Sequence, residues 1–294
     1  MFPSFIPADA EKLTELTSIE LTKKIECQRI VTPLCEDAIA TTYVRQGEGG
    51  IPILLLHGFD SSLLEFRRLV PLLASKQETW AIDLLGFGFS DRIPNLSFGA
   101  KQIKTHLYAF WQTLMKKPMI LVGASMGGAA AIDFTVTYPE AVEKLVLLDS
   151  AGLAKEPTVG KFMFPPLDYL ATEFLRNAWV RRNISRAAYY DKSLVSADAE
   201  LCAALHLNLP NWNKALISFT KCGGYGSFLE KVSQIEQETL ILWGASDKIL
   251  GVKDAYLFEE AISNSKLIWI QDCGHVPHLE KPQITAEHIL NFGA

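Results

Sequence analysis

The sequence predicts an α/β fold, a mostly parallel sheet with helices on both faces and an inserted helical cap, and three observations predict it. Short apolar runs of four to six residues recur from residue 40 onward, with helical-looking segments between them. The runs are apolar throughout, as a strand covered on both faces requires, and the intervening lengths suit right-handed crossover helices. The alternation breaks between about Gly152 and Phe228 and then resumes, which reads as an insertion.

Taken in order, residues 1–39 form an N-terminal extension packing on the core. Thr22–Ile30 in it carries a weak helical pattern with Ile25 and Ile30 apolar. Thr41–Arg45 reads as an edge strand. Buried parallel strands come next at ILLLHG (53–58), TWAID (79–83), MILVG (119–123), LVLLD (145–149), LILWG (240–244) and LIWI (267–270). The core is therefore assigned to 40–151 and 229–294, with 152–228 as the helical cap. Over 151–229 Lys and Arg exceed Asp and Glu by nine to six, a net of +3 that leaves −8 for the rest of a chain whose total is −5. Arg176, Arg181, Arg182 and Arg186 lie there among Phe162, Phe164, Tyr169, Phe174, Trp179, Tyr189 and Tyr190. The plain expectation is an amphipathic cap helix with an Arg-rich solvated face. The sharper one is a lid that meets a membrane surface or a large amphipathic substrate.

An acidic chain without a basic run argues against a dedicated nucleic-acid binder. The five cysteines (Cys27, Cys35, Cys202, Cys222, Cys273) have neither CxxC spacing nor even number, so no disulfide framework or zinc site is suggested, and a reducing compartment fits best. MFPSFIPADAEKL lacks the features of a signal peptide, and no stretch reaches about 18 apolar residues. The expectation is a cytoplasmic protein.

The chemistry is carried by MILVGASMGGAAAIDF, where Gly123-x-Ser125-x-Gly127 comes after a strand and opens a helix. Glycines two residues either side let strand and helix approach a sharp turn without a Cβ clash, so the Ser125 hydroxyl would project above the sheet. Serine needs a base and an orienting carboxylate. LILWGASDKIL puts Asp247 just past one strand and WIQDCGHVPHLEKP puts His275 past the next. The chain order Ser125, Asp247, His275 is the one associated with this elbow. His278 competes for the base. His275 is preferred because Gly274 frees the loop to turn inward and Pro277 fixes the backbone just beyond it. Asp149 is an alternative acid, and Asp272 a weaker one because it is read as lying on the strand end. His57 is read as part of a turn, and His106, His206 and His288 as structural. The backbone N–H groups of Phe59, after His57-Gly58, and of Met126 are the expected oxyanion donors. No metal-ligand spacing or phosphate-binding loop occurs, and no cofactor is implied.

HGFDSS, DLLGFGFSD, GASMGG, WGASDKI and CGHVPHLEKP together resemble the α/β-hydrolase superfamily across residues 40–292 except the cap. The resemblance implies a mostly parallel eight-stranded sheet, a helical cap after the sixth strand, and a Ser-His-Asp hydrolase mechanism on Ser125, Asp247 and His275. Through HGFDSSLLEFRR (57–68), ETWAIDLLGFGFSD (78–91), AIDF with YPEAVEKLVLLD (131–149) and KCGGYG (221–226), the chain is most similar to the plant and cyanobacterial chlorophyll dephytylases. That implies hydrolysis of the phytyl ester of chlorophyll to chlorophyllide and phytol, and association with the face of a thylakoid membrane. Lack of a transit peptide departs from the plant form and fits a cyanobacterial or other bacterial source. Two other readings stand beside the bulky-ester hydrolase. One is a small-ester, lipase-like or carbon-carbon bond hydrolase, and the other a ligand receptor on a hydrolase fold.

Overall fold

The computed structural model describes residues 1–153 and 164–293; Phe162, one of the cap aromatics, lies outside the described residues. After α1 (Leu16–Lys23) come two antiparallel strands, β1 (Glu26–Ile30) and β2 (Ile39–Gln46). The alternating core continues with β3 (Ile53–Leu56), α2 (Val70–Ala74), β4 (Thr79–Ile82), α3 (Ala100–Phe110), β5 (Met119–Ala124), α4 (Met126–Thr137) and β6 (Val142–Leu148). Among the described residues, four α-helices stand between β6 and the next strand: α5 (Leu167–Arg176), α6 (Ala178–Ala188), α7 (Ala197–Ala204) and α8 (Trp212–Lys221). The chain closes with β7 (Glu238–Gly244), α9 (Lys253–Ala261), β8 (Ser265–Ile270), α10 (Pro277–Glu280) and α11 (Pro282–Gly293).

The eight strands form one sheet in the order β1-β2-β4-β3-β5-β6-β7-β8. From β4 to β8 every neighbouring pair is parallel. Their side chains alternate between two separate cores. Leu54, Leu121, Leu147 and Trp243 enter one, and Leu55, Val122, Val146 and Leu242 the other. Both faces are covered, which is why these runs carry no polar partner residue.

One expectation fails at the N-terminus. Glu26–Ile30 is a strand and not a continuation of the helix, which stops at Lys23. Four of its five residues are exposed, and only Ile30 is buried. An edge strand whose side chains face solvent has no apolar period to display, so its polar sequence hid it. The Thr41–Arg45 strand, expected at the edge, is consequently second from it.

The sheet also fixes where chemistry can happen. From β3 the order runs outward to β4 on one side and β5 on the other, so a crevice opens beyond their carboxyl ends, where ligands bind in open α/β sheets. Phe59 lies just past β3, and Ser125 just past β5.

Away from that crevice, His106 on α3 is buried and its Nε2 is hydrogen-bonded to the Thr41 hydroxyl at 2.8 Å. Burial pushes its pKa down to about 4. An unfolded histidine titrates near 6.5, so between the two values the unfolded chain takes up a proton that the folded one refuses. Stability is therefore expected to fall as pH drops from about 6.5 to about 4. His106→Gln should flatten that part of the thermal-midpoint profile and leave pH 8 unaffected.

Candidate active site

Ser125 sits between β5 and α4 with φ 51° and ψ −118°, a strained backbone for a residue other than glycine. Neighbouring bonds hold it there. Its N–H donates to the Leu148 carbonyl at 3.0 Å, and its carbonyl accepts from Gly128 and Ala151, each at 2.9 Å. The glycines around it answer close approach. A Cβ on Gly123 would strike the Gly127 carbonyl, one on Gly127 the Leu56 carbonyl, and one on Gly128 the Ser150 hydroxyl.

The structure brings Ser125, His275 and Asp247 together. The Ser125 hydroxyl lies 2.9 Å from His275 Nε2, and His275 Nδ1 lies 2.9 Å from Asp247 Oδ2. With Nδ1 donating to the carboxylate, Nε2 is left free to accept the serine proton. Burial drives the Asp247 carboxyl upward, but the His275 bond and the N–H groups of Ile249 and Leu250 outweigh it and hold the pKa below the ordinary value. Asp247 is thus an anion aimed at the imidazole.

The N–H groups of Phe59 and Met126 donate to no acceptor among the described residues, and Met126 N–H opens α4 beside Ser125. The loop that carries Phe59 is anchored on both sides by carboxylates that lie inside the motifs but to which the sequence reading gives no role. Glu65 accepts from Gly58 N–H at 2.7 Å and bonds His278 Nε2 at 3.1 Å. Asp60 accepts from Arg181 at 2.6 Å and from the Trp212 indole at 2.8 Å, and bonds His206 Nε2 at 3.2 Å. Burial raises each of these carboxyls, yet their histidine partners prevail and both pKa values fall to about 2. A signal existed in the sequence: Glu65 stands between Leu64 and Phe66, and a carboxylate inside an apolar run requires a partner. His278, the competitor for the base, spends its Nε2 on Glu65. His57 bonds the Gly58 carbonyl through Nδ1 and accepts Leu84 N–H through Nε2, which leaves it no free nitrogen.

Gly274 does not play the role the sequence suggests. Its φ is not positive, so freedom of the backbone is not what glycine supplies there. A Cβ at this position would strike the Ala188 carbonyl at the end of α6, and His275 N–H donates to that same carbonyl at 2.7 Å. The His275 loop is thereby tied to the cap helices. Glu280 tightens the tie by accepting from Gly274 N–H at 2.7 Å, Tyr190 N–H at 3.0 Å and Asp191 N–H at 2.6 Å.

Asp149, the alternative acid, is fully buried beside Asp247 and accepts Gly244 N–H at 3.0 Å. Burial and the neighbouring Asp247 charge push its pKa well above the ordinary carboxyl range. Asp149, Asp247 and His275 each offer an atom within 4.8 Å of the others, a spacing that a cation could bridge. Here the His275 and Asp247 atoms are used on each other, and Asp149 keeps its proton, so hydrogen bonds account for the cluster. Asp272 lies past the strand end, which is Ile270, in an exposed turn with φ 50°.

The cap departs from the expected Arg-rich solvated face. Helix α5 is inverted: Asp168 and Thr172 are buried, while Leu167, Leu170 and Phe174 face out, Phe174 being 62% exposed. Asp168 is matched by Lys221, which reaches it from the surface at 3.1 Å. Arg176 stacks on Trp212 at 4.8 Å and Arg181 reaches Asp60, whereas Arg182 and Arg186 are exposed. Trp179 on α6 is 72% exposed. Asp60 draws Arg181 inward and the Trp212 ring holds the half-buried Arg176 against the cap, while the aromatic side is left facing out.

Between α6, α7 and the core a cavity of about 270 Å³ reaches Ser125 and His275. A larger hollow of about 720 Å³, between α2 and α11, lies at the amino ends of the strands, away from these groups.

The family model described as alpha/beta hydrolase fold matches residues 51–282. The chain belongs to the α/β-hydrolase superfamily. This α/β hydrolase is 33% identical, along its full length, to the alpha/beta hydrolase domain-containing protein VTE7 of Arabidopsis thaliana, covering 91% of that protein. That likeness to a plant member fits the resemblance to the dephytylase group. It is 26% identical to the 2-hydroxy-6-oxo-6-(2'-aminophenyl)hexa-2,4-dienoic acid hydrolase of Metapseudomonas resinovorans, over 93% of this chain and 94% of that one. A thermophilic esterase from Thermogutta terrifontis matches in fold, with TM-score 0.77 over 91% of this hydrolase and 97% of the esterase at 21% identity.

Proposed function

We propose that this α/β hydrolase is a serine esterase that cleaves a bulky apolar carboxylic ester through an acyl-enzyme, with the phytyl ester of chlorophyll as the candidate substrate. The observation that carries the reading is the pair of 2.9 Å contacts from the Ser125 hydroxyl to His275 and from His275 to Asp247. His275 takes the serine proton as the oxygen attacks the ester carbonyl. The oxyanion that forms is held by Phe59 and Met126 N–H, which have no acceptor of their own among the described residues. His275 then returns the proton to the leaving alcohol, and water repeats the sequence on the acyl-enzyme.

A 270 Å³ cavity sits just below the range that encloses a drug-sized ligand, so a substrate as large as chlorophyll would bring in its ester and part of its chain and leave the ring outside. The same volume favours a second reading as a small-ester or carbon-carbon bond hydrolase, the latter being what the Metapseudomonas relative is named for. Incubation with chlorophyll a in mild detergent, with the products separated by chromatography, tests the first reading. Chlorophyllide formed by the wild type and not by Ser125→Ala is the expected result. Turnover of short aryl esters without chlorophyllide would transfer the assignment to the second.

The outward stripe of α5 and α6 supports peripheral docking on a membrane, from which an apolar ester would pass to the cavity that Ile184 also lines. No helix among the described residues is long and apolar enough to cross one. Phe174→Ser with Trp179→Ser is expected to weaken co-sedimentation with anionic liposomes at least about tenfold, since burying each ring is worth about 2 kcal/mol. Added salt should weaken the wild type as well. Binding indifferent to both changes would exclude this surface.

A further inference from the structure

Phe59 is followed by a residue that the cap holds. Asp60 is buried and stands at φ 47°, a left-handed backbone that a residue with a Cβ adopts at a cost and keeps only where its surroundings impose it. Among the described residues, every hydrogen-bond partner of its carboxylate and its carbonyl comes from the cap. Arg181 of α6 donates through Nη1 to Asp60 Oδ2 at 2.6 Å and through Nη2 to the Asp60 carbonyl at 3.2 Å, and that Nη2 also reaches the Ala203 carbonyl of α7 at 2.6 Å. Oδ1 accepts from the Trp212 indole of α8 at 2.8 Å and from His206, in the short helical turn Leu205–Asn208, at 3.2 Å. An ionised carboxylate only accepts, so His206 Nε2 carries the proton. The Phe59 ring itself lies 5.9 Å from that of Phe219 on α8.

The other end of the peptide that supplies the Phe59 N–H is held by the core. Its carbonyl belongs to Gly58 and accepts from His57 Nδ1 at 2.8 Å, while Gly58 N–H is on Glu65. The peptide is trans and planar, so its N–H points opposite to that carbonyl. Two ends then set its direction: Gly58 through the core, and the backbone beyond Phe59 through Asp60. Arg181 grips the Asp60 main chain as well as its side chain, so the hold bears on the backbone and not on a swinging carboxylate alone.

We propose that Asp60 is a positioning residue through which the cap aims the Phe59 N–H at the oxyanion, so that the oxyanion hole is complete only while the cap is seated on the core. The inference rests on the hydrolase reading of Ser125. A cap that lifts carries Arg181, His206 and Trp212 away together and releases the donor; its return reassembles the hole.

Asp60→Asn keeps an acceptor for Trp212 and His206 but loses the charge that Arg181 grips, and Arg181→Met breaks the same contact from the cap side. Each is expected to lower kcat on p-nitrophenyl butyrate at least about tenfold, part of the roughly 10²- to 10³-fold that one oxyanion donor supplies. The double variant should lose no more than the worse single to within about twofold, because both remove one contact. Arg181→Lys keeps a charge for Oδ2 without the hold on the carbonyl, so it should fall between, and it guards against variants that fail to fold. Arg182→Ala, the next residue on α6, breaks an exposed pair with Glu200 and should keep the wild-type kcat. The ketone 1,1,1-trifluoro-4-phenylbutan-2-one reads the hole directly. Ser125 Oγ adds to its carbonyl carbon, the serine proton passes to His275, and the carbonyl oxygen becomes the anion that Phe59 and Met126 N–H receive. Its Ki should weaken in each variant by the factor lost from kcat/KM, to within about threefold. A loss confined to KM, a ketone affinity that stays at the wild-type value while kcat falls, or an equal loss in Arg182→Ala would overturn the positioning role. If the wild type neither hydrolyses the ester nor takes up the ketone, the serine reading falls by itself, and amide hydrogen exchange over residues 58–63 decides the rest. Exchange at least about tenfold faster in Asp60→Asn and Arg181→Met would support the hold of the cap on this loop, and an unchanged rate would overturn it.

Discussion

Ser125→Ala is expected to lower kcat about 10⁶-fold on any ester that the wild type hydrolyses. The loss removes the group that forms the bond, while Phe59 and Met126 N–H remain, so a residual acceleration of about 10³ to 10⁴ over water should persist. The fold should not suffer, because the Ser125 hydroxyl bonds His275 alone and alanine at φ 51° is strained no more than serine. Ser125→Gly makes a useful companion. It should be as inactive, yet more stable by about 1 kcal/mol, since glycine relieves a backbone that serine adopts at a cost. Loss of activity with a raised thermal midpoint would separate the chemistry at this position from its strain. Ser125→Ala retaining more than a few per cent of wild-type kcat would end the acyl-enzyme reading.

What the sequence exposed and what it hid divide along physical lines. Strands β3 to β7 were legible because both of their faces are largely buried and their central residues are apolar, and β8, half-exposed at the other edge, was legible from its run Leu267–Ile270. β1 was not, because Glu26, Cys27, Gln28 and Arg29 face solvent and the strand is held by backbone bonds to β2 alone. The meeting of Ser125, Asp247 and His275 was legible because each comes soon after a strand end, where the proposed nucleophile, acid and base of this fold would have to stand. Asp60, Glu65 and Glu280 do as much to hold the loops, yet their side-chain or backbone partners on other elements lie far away in sequence; the apolar neighbours of Glu65 announce that it needs a partner, but no local pattern says which one. The cap was half legible. Its amphipathic period identified two unlike faces, but which face turns inward depends on what waits there. Asp60 draws in Arg181, Trp212 holds Arg176 against the cap, and Lys221 meets Asp168, while the aromatic stripe is left outside.

Asp149 and Asp247 pose the question that a second large effect should answer. Both carboxyls stand at adjacent strand ends beside His275, and two like charges so close in a buried place cannot both persist. The surroundings decide between them. Asp247 receives N–H groups from Ile249 and Leu250 as well as the imidazole, whereas Asp149 has the Gly244 N–H alone and keeps its proton. Asp247→Asn is therefore expected to cost about 10⁴-fold in kcat, since an amide no longer stabilises the imidazolium or fixes its tautomer. Asp149→Asn should cost less than about threefold, because asparagine can donate to Asp247 and accept from Gly244 just as the neutral acid does. Asp149→Ala removes the donor and opens a void, so a loss of about tenfold that Asp149→Asn restores would mark a positioning role. Steady-state kcat on p-nitrophenyl butyrate from pH 5 to 9 measures all three variants. If the order were reversed, with Asp149→Asn the crippling change, the acid would belong to β6, and the Asp247 carboxylate would be a spectator held in place by its loop.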